Sequence, residues 1–226
     1  QARMKPFPQD IQGVLFDLDG TLLDSAMDLY IALKMQCDEM QVPAPPFAMV
    51  REVVSRGSRA ILRCAFPGLG DDALIPLLPR YLELYQAVMA EHTRPFDGVD
   101  ELLAVLEAQG VAWGIVTNKP GFLTDDLVKR IGWGDRAVAV VSGDTLPVKK
   151  PDPAPVLLAC ERAGLDPARC LFVGDDRRDV LAGGAAGAYT VAVRWGYLDG
   201  GDPAEWGADL VIDRPDELTA RLRVTA

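Results

Sequence analysis

From residue 95 onward the apolar positions switch repeatedly between two periods. Residues 99–109 place Leu102, Leu103 and Leu106 on one side of a helix, and Val111-Ala-Trp-Gly-Ile-Val116 comes next as a short apolar strand. The same pairing then recurs. Helical stretches at 122–131, 153–163 and 178–186 alternate with strand-like runs at 137–141, 170–173 and 190–193, and 209–213 reads as a last short strand. Apolar strands separated by helices predict an α/β domain whose parallel sheet is covered by helices on both faces. Right-handed crossovers gather the C-terminal ends of those strands along one edge. Residues 11–16 supply the first strand of this sheet, but the next eighty residues do not continue the alternation. Residues 24–42 read as a long amphipathic helix, and 47–91 as further helices broken at Gly57, Pro67-Gly68-Leu69-Gly70 and Pro76. An all-helical block of about seventy residues is too long for a crossover. It predicts an inserted all-helical cap over residues 24–94, a core made of 1–23 and 95–226, and hinges near Leu23–Asp24 and Arg94–Pro95.

Composition narrows the partners. Of 226 residues, 49% are hydrophobic and 25% charged, which supports a packed core and excludes wholesale disorder. The formal charge of −10 argues against nucleic acid, whose phosphates call for clustered Lys and Arg. A small anionic substrate stays open, because a local field can oppose the net charge. No run of about 18 apolar residues is present, so no membrane partner is expected. Residues 1–9 lack the apolar stretch of a signal peptide. Cys37, Cys64, Cys160 and Cys170 show no C-x-x-C spacing and read as free thiols of a reducing compartment. The expectation is a cytoplasmic monomer, with a weak homodimer as the alternative. The single histidine, His92, falls near the second hinge and reads as structural.

The candidate chemistry starts at Asp17-Leu18-Asp19-Gly20-Thr21, immediately after the first strand. Two carboxylates two residues apart leave a strand end towards the same crevice, while Leu18 turns back into the core. Gly20 permits a sharp turn and Thr21 adds a hydroxyl. Like charges so close repel unless a cation lies between them, and Mg²⁺ prefers a few hard oxygens. Taken alone, the pair is better explained as an Asp-rich turn with an Asx cap. Three further polar clusters change that balance: Thr117-Asn118 after 111–116, Lys149-Lys150-Pro151 after 137–141, and Gly174-Asp175-Asp176 with Asp179 after 170–173. Each has an ordinary reading, as helix cap, solvated lysines or turn. Together on one sheet edge they offer a hydroxyl, an amide, an ammonium and a metal site, which suits a phosphoryl group.

The order Asp-x-Asp-Gly-Thr, Thr-Asn, Lys-Pro, Gly-Asp-x-x-x-Asp resembles the haloacid dehalogenase superfamily over nearly the whole chain. Within it the chain resembles the helical-capped, phosphoglycolate phosphatase-like group, which implies a Rossmann-like core. Trp113-Gly-Ile-Val-Thr-Asn-Lys-Pro120, Val193-Arg-Trp-Gly-Tyr197 and Trp206-Gly-Ala-Asp209 are also similar to N-acetylmuramic acid 6-phosphate phosphatases. The resemblance implies a Mg²⁺-dependent hydrolysis of a small-molecule phosphate ester through an aspartyl phosphate. Asp17 would be the nucleophile, and Asp19 the general acid and then base. Lys150 would neutralise charge between Asp17 and the phosphoryl oxygens. Mg²⁺ would be held by Asp17, Asp175 and the main-chain carbonyl of Asp19, with Asp179 ordering its surroundings. Thr117 and Asn118, with Gly20 and Thr21 beside them, would bind the phosphoryl group. Lys149 is the alternative to Lys150, although only Lys150 precedes the proline. Asp176 stands where the family often has Ser and would share or compete in metal binding. In the cap, Arg56-Gly57-Ser58-Arg59 is the expected contact to the leaving group, Arg56 and Arg59 suiting a carboxylate. Exposed arginines heading the next helix explain that string equally well. Arg194 and Trp195 are further candidates for the same rim. Two other classes compete. A metal-independent dehalogenase has no need of Asp19, and a phospho-accepting receiver takes its acceptor from the third strand rather than the first. A nucleotide-binding P-loop is excluded, since G-x-x-x-x-G-K-[ST] is missing.

Overall fold

The computed structural model describes residues 5–225. In chain order its elements are β1 (Gly13–Phe16), β2 (Leu23–Asp24), α1 (Ala26–Glu39), α2 (Phe47–Val53), α3 (Ser58–Ala65), α4 (Asp71–Leu74), α5 (Leu78–Val88) and β3 (Arg94–Pro95). Next come α6 (Val99–Ala108), β4 (Ala112–Val116), α7 (Gly121–Ile131), β5 (Val140–Val141), α8 (Ala154–Ala163), β6 (Cys170–Gly174), α9 (Arg177–Ala185), β7 (Tyr189–Val193), β8 (Leu210–Ile212) and α10 (Pro215–Thr225). Six strands form one sheet in the order β5-β4-β1-β6-β7-β8, every pairing parallel. β1, β6 and β7 are buried along their whole length, as expected where helices cover both faces. The period of two sends Val14 and Phe16 to one apolar cluster and Leu15 to the other, where it meets Val156 and Ala159 of α8. Strand order reverses around β1, and such a switch point opens a crevice beyond the strand C-termini.

α1 to α5 lie between β2 and β3, which pair antiparallel as a two-residue ribbon. The cluster holding Val14 and Phe16 continues without a break into Leu33, Ile61 and Tyr81 of these helices. Asp28 near the start of α1 is fully buried and ties both ends of the insert together. It accepts the Thr93 N–H and hydroxyl at 2.9 and 2.7 Å and the His92 N–H at 3.0 Å.

Three elements differ from the sequence expectation. β5 has two residues instead of five and lies at the sheet edge, with β4 as its only neighbour among the described residues. The main-chain bonding nevertheless extends upstream, Val138 N–H donating to Trp113 at 2.8 Å and Ile115 N–H to Ala139 at 2.9 Å. The helix expected over 24–42 is shorter, since Asp24 is spent on the ribbon. α10 went unpredicted, although Pro215 opens it and Asp216 and Glu217 sit in its first turn, the usual helix-start pattern. Among the described residues no helix is long and apolar enough to cross a membrane.

Candidate active site

Three acidic side chains meet at the open end of the sheet. Asp17 leaves β1, Asp175 leaves β6 and Asp179 sits in the first turn of α9. All three are buried, with ligand oxygens within 4.8 Å of one another. Lys150 reaches into the same place from the loop before α8. Its ammonium lies 3.1 Å from Asp17 Oδ1 and 2.7 Å from Asp179 Oδ1. Asn118 fixes that loop: its Nδ2 donates to the Lys150 carbonyl at 2.9 Å, and the Lys150 N–H donates to its Oδ1 at 3.0 Å. Asn118 thus holds the lysine main chain at both ends. Thr117 Oγ1 accepts the Lys119 N–H at 3.1 Å, which shapes the turn leaving β4.

Space for this cluster depends on glycine. A Cβ at Gly174 would lie 2.2 Å from Asp179 Oδ2, and one at Gly20 would lie 2.3 Å from Asp175 Oδ2. Gly20 also has φ +87, a left-handed conformation that other residues adopt only with strain. Burial, and then the Asp17 and Asp179 charges, push the Asp175 carboxyl far above its ordinary range against the pull of the Tyr197 N–H. Burial and Asp17 likewise push Asp179 up to about 8 despite Lys150. Three carboxylates facing one ammonium leave negative charge in a buried place, and every donor is a hard oxygen. That donor set fits a small divalent cation and suits neither a soft metal nor a bound anion.

The remaining expected residues divide. Asp19 stands apart from the cluster: its Oδ1 accepts the Ser25 hydroxyl at 2.5 Å and the Lys119 ammonium at 3.2 Å. Its carboxylate is therefore not among the clustered acidic groups. Thr21 donates to Asp175 Oδ1 at 3.0 Å, so its hydroxyl serves the acidic cluster. Asp176 caps α9, accepting the Arg178 N–H at 2.9 Å, and pairs with the Arg178 guanidinium at 2.8 Å. Burial alone would raise its carboxyl, but the bonds from Arg178 hold it below the usual range. Asp176 is thereby occupied outside the cluster. Lys149 is exposed on the cavity rim, while Lys150 is the lysine among the carboxylates.

A cavity of about 470 Å³ opens above Asp17, Asp19 and Lys150, walled by Arg56, Arg59 and Tyr85 of the inserted helices. Arg56 pairs with Asp199 beyond β7, and Arg59 is exposed at the rim. Arg194 belongs elsewhere: it pairs with Asp202 and Asp213 on the surface, which removes it from the candidate rim. Trp195 donates its indole N–H to the Thr21 carbonyl at 3.0 Å and so braces the turn after Asp19.

Besides Ser25, which bonds Asp19, and Tyr85 on the cavity wall, four residues of the site escaped sequence reasoning. Ser55 donates to Asp175 Oδ2 at 3.0 Å from the insert, and the Tyr197 N–H donates to the same oxygen at 2.9 Å. The Tyr197 hydroxyl accepts the Ser25 and Ala26 N–H groups, each at 2.9 Å, at the start of α1. Arg178 reaches the Ser55 carbonyl at 2.7 Å. Lys119 is the fourth, and its position directly after Thr117-Asn118 was the only local signal for it.

Comparison with known proteins agrees with this geometry. The sequence profile described as haloacid dehalogenase-like hydrolase matches residues 14–193. A phosphoglycolate phosphatase of Xanthomonas campestris pv. campestris is 44% identical over 208 residues, covering 92% of this chain and 94% of the relative. An N-acetylmuramic acid 6-phosphate phosphatase of Pseudomonas aeruginosa is 44% identical over 211 residues, covering 92% and 93%. Among solved structures, a predicted phosphoglycolate phosphatase from Haemophilus somnus superposes with a TM-score of 0.84 at 27% identity, over 96% of this chain and 100% of that one. With most of its length matched by the family profile and its acidic cluster at the strand ends, the chain belongs to the haloacid dehalogenase-like hydrolase family.

Proposed function

We propose that the protein is a Mg²⁺-dependent phosphatase that hydrolyses a small carboxylate-bearing phosphomonoester through an aspartyl phosphate on Asp17. The observation that carries this reading is the buried trio Asp17, Asp175 and Asp179 with Lys150 bridging two of its members. Phosphoryl transfer needs positioning and charge compensation above all, and this arrangement offers both. A carboxylate oxygen of Asp17 forms the bond to phosphorus as the bond to the leaving oxygen breaks. Asp19, at the cavity wall, gives its proton to that alkoxide. It then takes one from the water that cleaves the aspartyl phosphate and releases inorganic phosphate. Lys150 holds Asp17 in place and spreads the phosphoryl charge. Asp17, Asp175 and the Asp19 main chain would hold Mg²⁺, with Asp179 orienting Lys150 beside it. When bound, the ion supplies positive charge to the phosphoryl oxygens. Thr117 and the Gly20–Thr21 turn complete the phosphoryl cradle.

Arg56 and Arg59 on the cavity wall support a leaving group bearing a carboxylate, a feature shared by phosphoglycolate and by the lactyl ether of muramic acid 6-phosphate. A substrate panel comparing kcat/KM among such esters assigns the physiological one. The division into a core of 1–23 and 95–226 and a cap of 24–94 belongs to the same proposal. It is supported by the two-residue ribbon at the crossing points. So do a cytoplasmic location, which the free cysteines support, and a monomeric state, with a weak homodimer as the alternative.

The test is hydrolysis of p-nitrophenyl phosphate. Turnover is expected with Mg²⁺, to vanish with chelator, and to be lost in Asp17→Asn. Metal-independent halide release, or self-phosphorylation without turnover, would overturn the reading.

A further inference from the structure

Two lysines reach the floor of the cavity, and the reaction as proposed uses only Lys150. The Lys119 side chain is only 7% exposed. Its ammonium lies 3.2 and 3.4 Å from Asp19 Oδ1 and Oδ2 and donates to the Tyr85 hydroxyl at 2.6 Å. It also stands 4.5 Å from the centroid of the Tyr85 ring, within cation–π range. The three residues come from three places: Asp19 from the turn after β1, Lys119 from the turn after β4, and Tyr85 from α5 of the helical insert. A buried ammonium is costly unless its charge is met, and Asp19 meets it. The tyrosine adds an oxygen and a π-face from the opposite side of the cavity.

The two oxygens of Asp19 are held unequally. Oδ1 accepts both Ser25, at 2.5 Å, and Lys119, at 3.2 Å, whereas among the described residues Oδ2 has only the 3.4 Å contact to Lys119. One oxygen is anchored and the other is left to exchange a proton. Resting on the phosphatase reading above, we infer that Lys119 is a positioning residue for Asp19, and that Tyr85 makes its grip depend on α5 lying over the core. Moving the insert away would take Tyr85 from Lys119 and leave Asp19 less firmly oriented. Proton transfer is then best arranged when the helices cover the substrate, which is when water is excluded.

The readout separates positioning from mere bracing of the insert. Protonation by Asp19 matters for an alkyl ester, whose alkoxide is a poor leaving group, and little for p-nitrophenyl phosphate, whose phenolate leaves unaided. kcat/KM reports events up to phosphoenzyme formation, so the leaving-group step is isolated. In Lys119→Met, kcat/KM for an alkyl phosphate is expected to fall at least about tenfold further than for the aryl ester, within the range general acids contribute. Lys119→Arg should restore most of the difference, and Tyr85→Phe, which keeps the ring, should show a smaller loss in the same direction. Equal losses on both esters, or a change confined to KM, would overturn the inference; should Lys119→Met fail to fold, Tyr85→Phe decides by the same criterion. Wild-type protein that hydrolyses neither ester would instead defeat the phosphatase reading, and this inference with it.

Discussion

Replacing Lys150 by methionine keeps the length of the side chain and deletes its charge. In the native fold the ammonium is 3.1 Å from Asp17 and 2.7 Å from Asp179, with only 3% of the side chain exposed. Burial pulls the lysine pKa down, but Asp17 and Asp179 outweigh it and hold it above the ordinary value. The two carboxylates thus favour the charged form of the lysine. Its removal leaves three buried carboxylates with no cation among them, and breaking a buried pair on one side costs about 3–5 kcal/mol. At about 2–4 °C per kcal/mol for a chain of this size, Tm in chelator should drop by roughly 6–20 °C. Added Mg²⁺ should recover more of that drop than it adds to the wild type, because the emptied site is more negative. Turnover should fall by about 10²–10³, the usual cost of losing one preorganised charge at a developing anion. Thermal scans with chelator and with Mg²⁺, beside p-nitrophenyl phosphate kinetics, supply both readings. A variant whose metal-free Tm moves by less than about 2 °C while kcat stays within about tenfold would refute the placement of Lys150 between the two aspartates.

The cluster sets two further outcomes. A methyl group at Gly196 would lie 2.3 Å from Asp175 Cβ and 2.4 Å from the Gly20 carbonyl, neither of which is a flexible chain end. Gly196→Ala should cost about 1–3 kcal/mol through overpacking and raise the Mg²⁺ concentration needed for half-maximal turnover; unchanged Mg²⁺ titration would count against the packing described. The pH dependence of stability has a definite sign. Asp175 is raised and Asp179 is pushed up to about 8 in the fold, burial being the larger cause for each, whereas unfolded aspartates titrate near about 3.9. Between those values the folded chain holds more protons than the unfolded one, so metal-free stability falls as pH rises from about 4 to 8. Tm in chelator should decline across that window and flatten with saturating Mg²⁺. A flat profile in chelator would contradict it.

How much of this could be read from the residues alone depends on the range of the interaction. β1, β4, β6 and β7 were legible because near-complete burial makes each of them a largely apolar run. The polar residues ending those runs were legible for the same reason, since a crossover topology carries them to one edge. β5 was overextended because an apolar edge strand looks like an inner one until its single neighbour is known. The insert's contribution was opaque. Ser55 and Asp175 are 120 positions apart, and Tyr85 and Lys119 are 34 apart, with no local spacing to mark either pair. Arg194 shows the opposite error. It follows β7 at the correct edge, yet Asp202 and Asp213 draw its guanidinium to the surface. Position in the topology places a residue at an edge, and its partners decide which way it turns.

The charges at the site explain why a chain this acidic can take an anionic substrate. Asp17, Asp19, Asp175 and Asp179 contribute four carboxylates, and Lys119 and Lys150 answer two of them. Asp176 drops out of this balance, because Arg178 neutralises it. The remaining deficit equals the charge of one divalent cation. Metal-free, the raised Asp175 and Asp179 carboxyls meet that deficit in part by holding protons; a bound cation would take their place and turn the local field towards a phosphate ester. Arg56 and Arg59 line the same cavity from the insert. Different parts of the chain therefore line the cavity. On the proposed reading, the sheet edge holds the group transferred and the insert meets the group released. The chemistry can then stay constant while the helices between β2 and β3 change the ester, which is consistent with relatives of equal identity bearing different substrate names.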